Sequence, residues 1–385
     1  MRSTAAALVP ILAVTFVDVL GTMVMVPLLP YVAQHYGASG VVVGALLTVS
    51  AAASTIAAPV WGAVSDRVGR KTVVVCAQCI SLAGYIVLAV ASSLAVIFAA
   101  RGVAGLGGGG IAVTQSYIAD VTAPQHRDRA YAAFGAVFGL AIVLGPMLGG
   151  FLIRYGFGVP FAVAAVIELI TIGLTLRFLP HVAPKAGRSP ALRDALGVVS
   201  SSAPVRTLLA RHGLFIFAVT AFFSTFALYL RHELGLGPDV ASWLLAGAGA
   251  TGGVTLVLLV MRVTRRVGDA VVAQAGLALL ALAYAALAYV RTVWLFAAAL
   301  VAWAIGAACI EPTLTALLSR AAPERARGAI MGLNDAGSNL ALIVAPVLSG
   351  YAFDRDPHLV GIMPAAAALL ALALGFVSRA ELRSS

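Results

Sequence analysis

The sequence predicts an all-α membrane protein of twelve transmembrane helices, arranged as two six-helix bundles related by a pseudo-twofold axis. Three observations predict it. Of 385 residues, 61% are apolar and 10% charged, and mean hydropathy is +1.02. A soluble domain carries about 25% charged residues, so this chain must take lipid as its solvent. Its apolar residues fall in runs of the ~20 residues that a bilayer crossing needs, separated by short basic connections. Finally, the second half of the chain repeats motifs of the first.

Six runs precede the middle of the chain, at residues 5–29, 41–64, 72–92, 94–119, 130–154 and 158–179. Six follow it, at 207–230, 240–262, 270–290, 293–318, 328–351 and 359–377. Residues 1–30 could pass for a signal peptide, but the apolar stretch is too long and Asp18 interrupts it, so it reads as the first span. The one long connection, 180–206, holds Pro180, Pro184, Pro190 and Pro204 among basic residues. It separates an N-terminal bundle (1–179) from a C-terminal bundle (207–385).

Orientation follows from Lys and Arg placement. With the N-terminus inside, twenty of the 25 basic residues fall in cytoplasmic segments and four in outer loops, leaving Arg101 within a span. Both termini are therefore expected in the cytoplasm, and the protein in the inner membrane.

The repeat is visible residue by residue. Gly145-Pro146-Met147-Leu148-Gly149-Gly150 returns 200 residues later as Ala345-Pro346-Val347-Leu348-Ser349-Gly350. Ser65-Asp66-Arg67-Val68-Gly69 returns as Thr264-Arg265-Arg266-Val267-Gly268, and Ala123-Pro124 as Ala322-Pro323. Parallel repeats of this kind place a substrate site near the midplane, at the interface of the halves.

Several function classes are excluded. The net charge of +10 sits in connections rather than on one amphipathic face, which argues against nucleic acid. Cys76, Cys79 and Cys309 all lie in apolar runs, and the lone CxxC pair has neither a second pair nor histidines beside it, so helix packing is its expected role. Gly105-x-Gly107-x-x-Gly110 imitates a dinucleotide fingerprint but lies in a span without a βαβ unit. No nucleophile–base pair, metal cluster or nucleotide-binding motif is evident. An enzyme is not expected, nor a cofactor, nor ATP as the direct energy source.

The most specific motif is Gly62-Ala63-Val64-Ser65-Asp66-Arg67-Val68-Gly69-Arg70-Lys71, between the second and third spans. Its glycines permit a sharp reversal. Here the chain resembles the major facilitator superfamily, over almost its whole length. The resemblance implies that this loop latches the outward-open state. Gly62, Asp66, Arg67, Gly69, Arg70 and Lys71 would form the latch, with Asp66 facing the start of helix eleven and Arg70 paired with Asp120. The second-half copy has Arg265 where the acid should stand, which implies a weaker latch.

Phe16-Val17-Asp18-Val19-Leu20-Gly21, followed by Pro27 and Pro30, looks like the first helix of twelve-span drug:proton antiporters, tetracycline exporters among them. A mid-span aspartate costs about 2.5–3.5 kcal/mol on insertion scales, so Asp18 implies a function or a satisfying partner. Arg101-Gly102-Val103-Ala104-Gly105-Leu106-Gly107 resembles the family's second motif. Arg101 is expected to tune proton release from Asp18, or else to form a static ion pair with it. Gly145, Pro146, Gly149 and Gly150 resemble the antiporter motif of exporters and permit close helix packing, although Ala132 and Ala141 fill its upstream glycine slots.

Two acids in the second half are further candidates for binding a proton or a cationic substrate: Glu311, followed by Pro312, and Asp335, which stands near Asn334 and Asn339. Asp335 could equally serve the latch. Glu168 lies in the sixth span, usually peripheral in this family, and is expected to be a locally paired or protonated structural residue. Gln115, Tyr117, Phe222, Phe226, Tyr229 and Trp303 are candidate cavity lining, with helix packing as the alternative for each.

Together these readings imply a monomeric secondary transporter in the lipid bilayer, exporting small amphipathic drug-like compounds in exchange for protons. The alternatives are a dedicated exporter or importer of one metabolite (a sugar, amino acid, siderophore or lipid) and a non-transporting membrane sensor.

Overall fold

The computed structural model describes the backbone of residues 2–108, 110–122, 126–180 and 192–384. It describes side chains from 8 to 376, apart from 109–112, 119, 123–125, 128 and 181–195. The described residues form helices and their connections. In the first half these are α1 (Arg2–Met25), α2 (Leu29–His35), α3 (Gly40–Val68), α4 (Arg70–Ala89), α5 (Leu94–Gly107), α6 (Gly110–Val121), α7 (Arg127–Leu152) and α8 (Val159–Phe178). Then follow α9 (Leu192–Ser201), α10 (Ala203–Leu234), α11 (Pro238–Thr255), α12 (Met261–Val267), α13 (Asp269–Leu287), α14 (Val293–Ala321), α15 (Arg327–Arg355) and α16 (Leu359–Ser384). A π-helical turn, Leu256–Val260, joins α11 to α12.

Eleven helical stretches among the described residues are long and apolar enough to cross a membrane. The fourth expected span is instead two shorter helices, α5 and α6, broken after Gly107. Of the expected connection at 180–206, residues 181–191 lie outside the described residues, and most of the remainder is helical, in α9 and the start of α10. The Ala123-Pro124 half of one repeat match also lies outside them.

Lipid exposure explains the surface. Trp294, Ile56 and Leu282 are among many large apolar side chains that stand exposed, where hydrocarbon welcomes them. Polar side chains inside the spans satisfy themselves locally. Thr15, Thr171, Thr225 and Thr313 each donate to the carbonyl four residues earlier, at 2.6–2.9 Å, because nothing in hydrocarbon would accept the bond.

The chain divides into two compact units. Unit 1 comprises 1–38, 45–187 and 237–246; unit 2 comprises 39–44, 188–236 and 247–385. In unit 1, α1 packs on α7 and α8, and α4 on α5 and α8. In unit 2, α10 packs on α15 and α16, and α13 on α14 and α16. The two packing patterns correspond helix for helix, so the repeat in the sequence is also a repeat in the fold.

Small residues set the closest seams. A Cβ on Gly145 would strike Met23, and one on Gly149 the Val24 carbonyl, so the glycines of α7 let α1 approach backbone to backbone. Within unit 2, Asp354 at the end of α15 accepts from the amides of Gly40 and Val41 at 2.7 and 2.9 Å. These are free donors at the start of α3.

Candidate functional site

Unit 1 encloses a cavity of about 290 Å³ whose lining includes Asp18 and Thr22 from α1, Gln78 and Tyr85 from α4, Arg101 from α5 and Phe134 from α7. Its polar groups are sparsely satisfied. Thr22 and Tyr85 hydroxyls bond at 3.0 Å, but Gln78 Oε1 and Arg101 Nε are buried without a partner among the described residues. Unpaired buried polar atoms are expensive, and a wet or ligand-holding cavity is where such a cost is relieved. Asp18 and Arg101 both line this cavity.

Glu168 of α8 is not among the residues that line the cavity. It is fully buried, and neither carboxylate oxygen has a hydrogen-bond partner of normal geometry among the described residues. The carboxyl groups of Asp18 and Glu168 face each other where α1 packs on α8.

The loop between α3 and α4 turns at Gly69, whose φ of +94° is open to glycine and strained for other residues. Arg70 then folds back with its guanidinium nearly buried. It reaches Asp66 at 2.8 Å, Asp120 of α6 at 3.3 Å and the Ser65 hydroxyl. Lys71 donates to the Leu176 carbonyl in the last turn of α8 at 2.7 Å, where a cation complements the helix dipole. Arg67 and Gly62 stand exposed and half-buried beside them. In unit 2 the corresponding turn is Gly268, at φ +83°.

The acids of unit 2 are grouped differently. Glu311 Oε2 lies 3.2 Å from His212 Nε2, and His212 Nδ1 lies 3.4 Å from the Ser338 hydroxyl. Asp335 stands one turn from Ser338 on α15, exposed like Glu311. Asn334 is buried with its Oδ1 unpaired among the described residues, while Asn339 is half-buried.

Phe222, Phe226, Tyr229 and Trp303 do not gather around these acids. They pack with Tyr284 and Phe296 into one aromatic cluster, with ring centroids 5.4–6.0 Å apart, and each is at most 7% exposed. Tyr117 is also fully buried and donates to the Pro180 carbonyl at 3.1 Å. Gln115 is exposed on α6. Gly150, unlike Gly145 and Gly149, faces Ser242 of α11.

The family model of the Major Facilitator Superfamily matches residues 11–230 and 208–384. The chain belongs to the major facilitator superfamily. Among curated relatives, the class C tetracycline resistance protein of Escherichia coli is 28% identical over 362 residues, covering 89% of this chain and 88% of that one. Multidrug resistance protein 1 of Bacillus subtilis (strain 168) is 25% identical over 349 residues, covering 89% and 88%. The solved structure of the nucleoside transporter NupG superposes with a TM-score of 0.78 at 13% identity, covering 96% and 98%. That likeness shows the fold. As a major facilitator superfamily protein the chain is a transporter.

Four residues in this superfamily member escape sequence reasoning. Tyr85 and Gln78 sit in an ordinary apolar run, and only the packing of α4 brings them to the cavity that Asp18 lines. His212 follows Arg211 near the expected edge of a span, so both resemble loop residues. By position Arg211 counts among the cytoplasmic charges. Instead it is buried in α10, donating to the Ala371 carbonyl at 3.0 Å and to Gln274 Oε1 at 2.8 Å.

Proposed function

We propose that the protein is a proton-coupled exporter of small amphipathic, drug-like compounds, working by alternating access from the inner membrane with both termini cytoplasmic. The observation that carries this reading is Asp18 at the wall of a cavity inside a spanning bundle, with Arg101 in the same lining. An ionised carboxylate there needs a positive charge or a proton. A cationic substrate and a proton both meet that need, and each makes the other unnecessary. Exchange follows from this competition: protonation from outside releases the substrate, and loss of the proton inside restores the site. In this reading Arg101, in the same cavity lining, tunes proton release from Asp18.

Glu311 offers a second acid on the same principle. It is exposed on a membrane-spanning helix with His212 as its partner, and an acid so placed belongs against water rather than lipid. The tetracycline and multidrug resistance relatives support export and a drug-like substrate class.

Expression in a drug-sensitive strain, with a panel of cationic and neutral drugs, tests the substrate class. Raised resistance to several unrelated compounds is the expected result. Resistance to none would favour a dedicated transporter of one metabolite. Proteoliposomes then test coupling: adding a substrate should move protons in the opposite direction, and substrate movement without proton movement would remove the antiport reading.

A further inference from the structure

We propose that Asp18 and Glu168 form one proton site, a carboxyl pair that holds a single proton between them. This rests on the proton-coupled reading above and extends it to a residue that the sequence read as a locally paired or protonated structural acid.

Glu168 is 0% exposed, and both of its oxygens lack a hydrogen-bond partner among the described residues. An ionised carboxylate left in that state would bear the full desolvation cost of a charge. The group it faces is the Asp18 carboxyl. Close approach is enforced by Gly21, one turn further along α1. A Cβ there would come within 3.2 Å of the Ile167 side chain and 3.6 Å of the Ala164 carbonyl. The other titratable groups facing the pair are Tyr85 of α4, held by Thr22, and Arg101 of α5 across the cavity. On the α7 side, Phe134 contributes an apolar wall.

Two adjacent carboxyls with little solvent cannot both ionise, so they share a proton and titrate as a unit. The arrangement divides the labour. Asp18 lines the cavity and exchanges with water or substrate; Glu168, fully buried and not part of the lining, accepts or returns the proton. A proton arriving at Asp18 joins an O–H···O bond to Glu168. A cationic substrate that claims the Asp18 charge leaves the proton on Glu168. The pair therefore keeps a proton near the site while substrate is bound. A lone aspartate has no such reserve. Glu168 is thus a positioning and proton-storing partner of Asp18.

The test is infrared titration of purified protein in liposomes, following the carboxylic-acid C=O stretch of wild type, Glu168→Gln and Asp18→Asn without substrate. In a coupled pair, replacing either member moves the midpoint of the other by about one pH unit or more. Unchanged midpoints in both variants would overturn the proposal. Glu168→Asp, which keeps the carboxyl, should retain a coupled titration. If Glu168→Gln does not fold, Asp18→Asn decides alone, because Glu168 is then intact and its midpoint must still move. The measurement needs no substrate. A wild type that exports nothing would sink the functional reading and leave this one standing, whereas transport with uncoupled carboxyls would sink only the pair.

Discussion

Arg320 of α14 bonds to Asp269 at the start of α13, at the positions that repeat Asp120 and Arg70 with the charges exchanged. The second-half loop has lost the acid that corresponds to Asp66, yet it keeps a pair across the helix ends. What the repeat retains is the bridge, and its polarity is free to invert. The two bridges differ in burial. The Arg70 side chain is 10% exposed and the Arg320 side chain 60%, and exposed pairs contribute about 1 kcal/mol or less. Arg70→Ala should therefore destabilise by about 3 kcal/mol, since it strands the poorly solvated Asp120, while Arg320→Ala should scarcely alter stability. Chemical denaturation of both variants in detergent checks the ranking. The exchanged double variant Asp269→Arg/Arg320→Asp should behave as wild type.

Close packing of α1 on α7 gives a second prediction. Gly149→Ala inserts a methyl against the Val24 carbonyl and should destabilise by about 1–3 kcal/mol. Gly139→Ala, on the same helix with nothing within 4 Å, should be neutral or slightly stabilising by helix propensity. Equal effects at the two glycines, in the same denaturation assay, would remove the seam from the account.

Much of the fold was legible because hydropathy and loop charge act locally along the chain. The apolar runs folded as helix among the described residues, and Arg70 and Asp120, whose pairing the family resemblance implied, lie 3.3 Å apart. The failures share one cause, which is that lateral packing leaves no period in the sequence. Arg211 looked like a loop cation because its partners, Gln274 and the Ala371 carbonyl, lie 63 and 160 residues away. Trp303 and Phe222 pack on each other, which is the packing alternative that the sequence left open for them. α5 ends at Gly107, in a run of glycines whose weak helix propensity was the available signal.

Tyr117 separates packing from transport. Tyr117→Phe removes a single hydrogen bond to the Pro180 carbonyl, which should cost about 1 kcal/mol of stability and leave transport rates within about twofold. A large loss of transport at unchanged stability would return Tyr117 to the substrate path.

His212 is predicted to matter through Glu311. Glu311→Gln should lower proton-coupled transport about tenfold or more, the scale of a lost intramembrane acid. His212→Gln should lower it less and should have no further effect in the Glu311→Gln background. Additive losses in the double variant would mean that the two residues act separately.

Asp18 carries the central claim, and one measurement addresses it most directly: accumulation of a transported drug by everted vesicles, driven by an imposed proton gradient, compared with gradient-free drug exchange in the same vesicles. Asp18→Asn should abolish accumulation of a neutral drug while its gradient-free exchange across the membrane continues, since that drug uses the cavity and not the Asp18 charge. An Asp18→Asn protein that concentrates drug against its gradient as wild type does would contradict the account.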